Sequence, residues 1–153
     1  MNQNSTPATS TWLGFELAGQ TYAVPLAAVR EVIRAEDPTP VPGAPNDVLG
    51  IINVRGSIVT VLDGCQRLGT RDSGADARQR LMIFQDEREN VGMRIDTVQD
   101  MLELDAQEPM TQRGRRADGD PVLGVLDRDG GNITLLDADA LCRPRAIASE
   151  TST

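Results

Sequence analysis

Two stretches of this chain are copies of one pattern. Val48–Asp63 reads VLGIINVRGSIVTVLD, and Val122–Asp137 reads VLGVLDRDGGNITLLD. They align without a gap at an offset of 74, with identical residues at 48/122, 49/123, 50/124, 56/130, 60/134, 62/136 and 63/137. A self-similarity at fixed spacing constrains the architecture before any single residue does, because each copy must build the same local structure. Each copy consists of two short runs rich in Val, Ile and Leu, split by a glycine-containing turn. That is the pattern of a β-hairpin.

The segments ahead of the hairpins repeat as well. FELAGQTYAVPLAAVREVI from Phe15 aligns with FQDERENVGMRIDTVQDML from Phe84 at an offset of 69. Few residues are identical, but apolar positions coincide at 24/93, 26/95, 29/98, 32/101 and 33/102, and Glu31 matches Asp100. In the first copy the pattern predicts a strand from Trp12 to Ala18, a turn at Gly19-Gln20, and a return strand with Tyr22, Val24 and Leu26 on one face. A helical turn at Leu26–Val29 and an extended Val29–Arg34 follow. Glu36–Asp47 holds four prolines, which exclude a helix or a central strand and make this a stiff crossing. In the second copy Arg80–Gln85 and Val91–Ile95 are strands. One short helix closes each copy, at Gly64–Leu68 and at Ala138–Leu141.

The expected fold is therefore all-β, with five strands in each half. Strands this short and twisted curl into small barrels, and a lone half buries too little apolar surface to be robust. The predicted organisation is a tail at 1–11, a folded body at 12–143 and a tail at 144–153. Within the body, subdomain one spans about 12–68, a polar linker 69–79, and subdomain two about 80–142.

Composition removes whole classes of function. The chain has no His and no Lys; all fifteen basic residues are Arg. Ser-His-Asp and Cys-His catalysis, Schiff-base lysines, the Walker lysine and His metal ligands are excluded with them. The net charge of −8 opposes binding to a phosphate backbone. Cys65 and Cys142 have no CxxC spacing and read as small buried hydrophobes, with a structural disulfide as the minority alternative. The first eleven residues lack the basic start and apolar run of a signal peptide, and no segment has the apolar length to span a bilayer. The expectation is a cytoplasmic protein without cofactor or metal.

Four motifs invite a chemical reading. Asp127-Arg-Asp129-Gly-Gly-Asn132 resembles the start of a calcium loop, but the twelfth position is Ala138 where a bidentate Glu is needed, so it reads as a hairpin turn. Arg113, Arg115 and Arg116 form a basic cluster, either a solvated loop or a dock for an acidic partner. Glu31 lies between Val29 and Ile33, and Arg55 stands at a hairpin tip. Each reads either as an ordinary exposed residue or as a contact residue, since the planar Arg fork suits carboxylates and carbonyls. Carboxylate pairs such as Asp96 with Asp100 leave a carboxylate-based enzyme as a remote alternative.

Taken together, YAVPLAAVREVI, VPGAPNDVLGIINVRGSIVTVLD, VGMRIDTVQDML and VLGVLDRDGGNITLLDADAL resemble the CheW family of chemosensory coupling proteins, over roughly Trp12 to Cys142. The most specific piece is the GxxNxRG run with its following strand, preceded by spaced prolines. The resemblance implies two SH3-like β-barrels around a shared core, and a scaffold without catalysis. It implies two partners: the regulatory domain of a CheA-type histidine kinase, and the cytoplasmic tip of chemoreceptors. Recruitment to membrane arrays would then run through those partners, without direct membrane insertion. By position, Val29, Glu31, Val32 and Arg55 match family residues of receptor contact, and Gly50, Gly56 and Gly124 match glycines that keep hairpin geometry. No kinase-contact residues carry over. Thr60, Gly64 and Arg94 depart from the family pattern. An adaptor of a non-flagellar system, such as twitching or gliding motility, is the alternative output.

Overall fold

The strands here are sorted by which side chains they bury. In a strand, alternate residues face opposite sides. The computed structural model describes residues 9–70, 78–86, 90–105, 120–128 and 130–143. Its elements run β1 (Thr9–Leu17), β2 (Gln20–Pro25), a 3₁₀ turn (Leu26–Ala28), β3 (Val29–Arg34), β4 (Val48–Val54), β5 (Ser57–Asp63), α1 (Gly64–Leu68), β6 (Arg80–Phe84), β7 (Val91–Ile95), β8 (Thr97–Asp105), β9 (Val122–Arg128), β10 (Gly131–Leu136) and α2 (Ala138–Cys142).

These strands form two five-stranded sheets. The first has the order β8-β1-β2-β10-β9, and the second β3-β6-β7-β5-β4. Exchanging β1–β5 for β6–β10 converts one order into the other, so the sheets are copies, as the repeat requires. In each, a parallel pairing joins the two hairpins: β2 with β10 and β5 with β7.

The all-β class and the count of five strands per sheet agree with the sequence reading. The assignment of chain to sheet is different. The second sheet is a continuous stretch, β3 to β7. The first is assembled from both ends of the chain, β1–β2 together with β8–β10. Subdomain boundaries at 12–68 and 80–142 therefore do not separate the sheets. The physical reason is that the hairpin closing each sheet comes from the other half of the repeat. Sequence similarity marks the repeated unit but not which copy each hairpin pairs with.

Other boundaries shift by a few residues. β1 starts at Thr9, so residues 9–11 belong to the sheet and pair with Asp105, Leu104 and Glu103 of β8. Gln79, placed in the linker by the sequence reading, is buried, accepts the Ala35 N–H at 3.1 Å and donates to Asp96 at 3.0 Å. The first turn is Ala18-Gly19, both at positive φ. Ala18 is held in that uncommon conformation by its N–H, which donates to the Asp96 carboxylate at 2.9 Å. β2 ends at Pro25, which leaves Leu26 exposed instead of in line with Tyr22 and Val24. The connection carrying Arg113, Arg115 and Arg116, the residue Asp129 and the tail from residue 144 lie outside the described residues.

Three apolar clusters result. One lies inside the first sheet (Ala23, Leu104, Leu126, Leu135), and one inside the second (Ile52, Val59, Val61, Leu81, Ile83). The largest lies between the sheets and includes Phe15, Leu17, Val24, Met82, Phe84, Met93, Leu136 and Leu141. β6 shows the sorting: Leu81 and Ile83 enter the second sheet's interior, while Met82 and Phe84 enter the shared core. A strand buried on both faces cannot alternate apolar with polar, which is why LMIF is continuous. On β7 the inward residue is Gly92, where a Cβ would lie 3.0 Å from Leu81.

Candidate interaction surface

The β4–β5 hairpin is built by its turn. Arg55 and Gly56 have φ of 50° and 88°, the pair of positive values that a two-residue turn of this twist demands. The Asn53 side chain accepts the Gly56 N–H at 2.9 Å and holds the turn closed. Arg55 thus stands at the tip with its side chain 68% exposed.

Its guanidinium pairs with the Glu31 carboxylate. The two residues are 24 apart in sequence and sit on β3 and at the end of β4, which are opposite edges of the second sheet. The ion pair therefore spans the open side of the curl. The first sheet has a counterpart: Arg128, at the end of edge strand β9, donates to the Glu103 carbonyl of the other edge strand, β8, at 3.3 Å. Both sheets curl until their edges approach, which is the barrel-like geometry expected.

The four residues singled out for receptor contact do not share one face. Glu31 is opposite Ile83, whose side chain enters the second sheet's interior, so Glu31 and Arg55 form the rim of that interior. Val29 and Val32 are half-buried and pack on the shared core instead. A register shift between Val29 and Glu31 produces the split.

Gly50 has a different role from the one its motif implies. A Cβ there would fall 2.3 Å from the Thr39 carbonyl oxygen. Thr39 and Ile51 exchange both backbone hydrogen bonds, at 2.8 and 2.9 Å, so the proline-rich crossing lies directly along the edge of β4. Gly50 permits this close approach and also lies at a register shift in β4–β5. Gly56 serves the turn itself. Gly124 is buried in β9 opposite Leu135.

Sequence reasoning missed two features. Ile58 on β5, opposite Asn53, is 54% exposed and places an apolar side chain beside the Arg55 tip, while Val41 in the crossing is 41% exposed. Arg67 and Asp47 form a buried ion pair, with Nε 3.6 Å from the carboxylate. One available signal was the repeat itself, since the position matching Arg67 is Leu141.

Nothing in this set looks reactive. Cys65 and Cys142 are free and buried, as expected of small core residues. Burial, reinforced by Asp86, Asp139 and Asp137 against the opposing Arg67, pushes the Cys142 thiol up to about 12, so it stays protonated and unreactive at neutral pH. Burial also raises the Tyr22 hydroxyl, with Cys65 adding to the shift. Among the described residues, no three His, Cys, Asp or Glu side chains gather as a metal site, and no helix is long and apolar enough to cross a membrane.

The CheW-like domain model matches residues 11–145, nearly all of the described fold. The chain belongs to the CheW-like family. Like its relatives of that family, it is a chemotaxis-type coupling adaptor. It is similar to Chemotaxis protein CheW of Rhizobium meliloti (strain 1021), with 30% identity over 131 residues covering 84% of each chain. It is also similar to Protein FrzA of Myxococcus xanthus, with 29% identity over 88% of each chain. The fold matches the scaffolding protein TtCheW of Thermoanaerobacter tengcongensis at a TM-score of 0.75, with 24% identity and 90% of each chain covered. The two CheW-like sheets and the rim between β3 and the β4–β5 tip are the frame in which the function must be read.

Proposed function

We propose that the chain is a non-catalytic scaffold that binds a CheA-type histidine kinase through that kinase's regulatory domain and a chemoreceptor through its cytoplasmic tip. It places the first under control of the second, and it reaches the membrane array from the cytoplasm only through these partners. The observation that carries the reading is the Glu31–Arg55 pair. Two residues that the family resemblance matches to receptor contact, 24 apart in sequence, meet across the rim of the second sheet. An exposed ion pair of this kind contributes little to stability. Its planar fork and carboxylate are, however, suited to exchanging partners with a docking helix. Val29 and Val32, half-buried on the opposite face of β3 against the shared core, offer the partner only their remaining exposed edges. Gly50 and Gly56 hold the hairpin that presents Arg55, and Gly124 holds the corresponding hairpin of the first sheet.

Holding two proteins on one body raises their effective concentration without any chemistry of its own. Similarity to relatives of other names, such as Protein FrzA, favours a second output for the same adaptor, a non-flagellar chemosensory system. The test is co-purification with a CheA-type kinase and a receptor cytoplasmic fragment. Glu31→Ala and Arg55→Ala are expected to weaken receptor binding about tenfold, and kinase binding far less, as for residues at a contact centre. Equal loss of both partners from a folded variant would sink the assignment.

A further inference from the structure

Polar side chains are nearly absent from the interior. Among the described residues only Asp47, Arg67 and Gln79 are buried polar or charged residues, beside the hydroxyl of Tyr22. Arg67 joins three segments that are distant in sequence. Its Nε is 3.6 Å from the Asp47 carboxylate, at the end of the proline-rich crossing. The same Nε donates to the Leu141 carbonyl at 3.4 Å, and an Nη donates to the Ala140 carbonyl. Those carbonyls belong to the last turn of α2, where a helix leaves its carbonyls short of partners; Ala140 also accepts the Arg143 N–H at 3.4 Å. Asp47 in turn accepts the Asp63 N–H on its backbone carbonyl at 2.9 Å, just ahead of α1.

These segments belong to different sheets. α1 and the crossing attach to the second sheet, α2 to the first. Among the described residues, the chain passes from one sheet to the other at Leu26–Ala28 and at Asp96. The repeat also shows that an ion pair is not needed to fill this site. The positions equivalent to Arg67 and Asp47 are Leu141 and Pro121. A buried ion pair is in general no more stabilising than well-packed apolar residues of similar size. What it adds is direction: apolar packing tolerates sliding, while a guanidinium that donates to two carbonyls, with a carboxylate held 3.6 Å away, does not.

We propose that Arg67 is a positioning residue of the adaptor, fixing the angle between the two sheets, and with it the geometry in which both partners are held at once. It touches neither proposed partner. The effect on assembly rests on the adaptor reading above; the effect on the angle does not.

The test uses the full chain and the double variant Asp47→Asn/Arg67→Leu, which removes both charges together. Residual dipolar couplings of backbone amides report the relative orientation of the sheets without any partner. In the parent chain one alignment tensor is expected to fit both sheets, and in the double variant each sheet should need its own. With partners, kinase and receptor affinities measured singly should stay within about threefold, while the three-component assembly weakens about tenfold, since only the simultaneous geometry is lost. A single common tensor in the folded double variant overturns the inference, as does undiminished three-component assembly. If the double variant fails to fold, Arg67→Lys decides by the same couplings, because it keeps the charge and loses the fork; an unchanged common tensor then overturns it. If the parent binds neither partner, the adaptor reading fails and the couplings alone decide.

Discussion

At the scale of single residues, burial decides which groups act. Glu31 and Arg55 are available to a partner because they sit on a rim; Arg67 and Asp47 are withheld because they sit between layers. Cys142 gives a measurable consequence of burial. Its folded value near 12 exceeds its ordinary value of 9.0, so the folded state holds the thiol proton more tightly than the unfolded chain does. That contribution is complete below the unfolded value and disappears as pH rises towards the folded one. The melting temperature is therefore expected to fall as pH rises above 9.0, and Cys142→Ala should flatten the fall. Tyr22, also raised by burial, acts in the same direction. A melting curve equally steep in the variant would assign the effect elsewhere.

At the scale of elements, the β4–β5 hairpin shows how two glycines of one motif do different work. Gly56 has open space around its missing side chain, so only its φ of 88° resists replacement. Gly56→Ala is expected to cost about 1 kcal/mol. At Gly50 a methyl group meets a backbone carbonyl that cannot move without breaking the Thr39–Ile51 pairing. Gly50→Ala should cost about 3 kcal/mol, read from urea unfolding, and should expose the crossing to faster amide exchange. Equal costs for the two would contradict this division. The repeat made both glycines visible in the sequence, together with the hairpin, its strands and its following helix. It could not show that Gly50 faces Thr39, since the crossing ahead of β4 has no recognisable copy ahead of β9.

At the scale of the whole molecule, the strands are shared in a way the repeat conceals. Residues 12–68 contain β3, β4 and β5 but lack β6 and β7, which lie at the centre and next to the edge of the second sheet. That fragment is expected to show no cooperative melting by circular dichroism. Residues 29–95 contain all five strands of the second sheet. They should retain a strand spectrum, and should also self-associate, since Met82, Phe84, Val91, Met93 and Ile95 lose the sheet that covers them. A monomeric, cooperatively folding 12–68 would show that the halves are separate after all.

Local chemistry by itself determined the class of the fold, the number of strands, the hairpin at Arg55-Gly56 and both short helices. Each of these follows from side-chain period, turn residues and one repeated pattern, all of which act over a few positions. Only the tertiary structure decided which hairpin closes which sheet, that Glu31 reaches Arg55, and that Arg67 links both helices. Those contacts join residues far apart in the chain, and in a duplicated sequence either copy offers the same apolar edge. The choice between them is settled by how the crossings at Leu26–Ala28 and Asp96 route the chain, through short connections whose composition carries no label for the sheet they lead to.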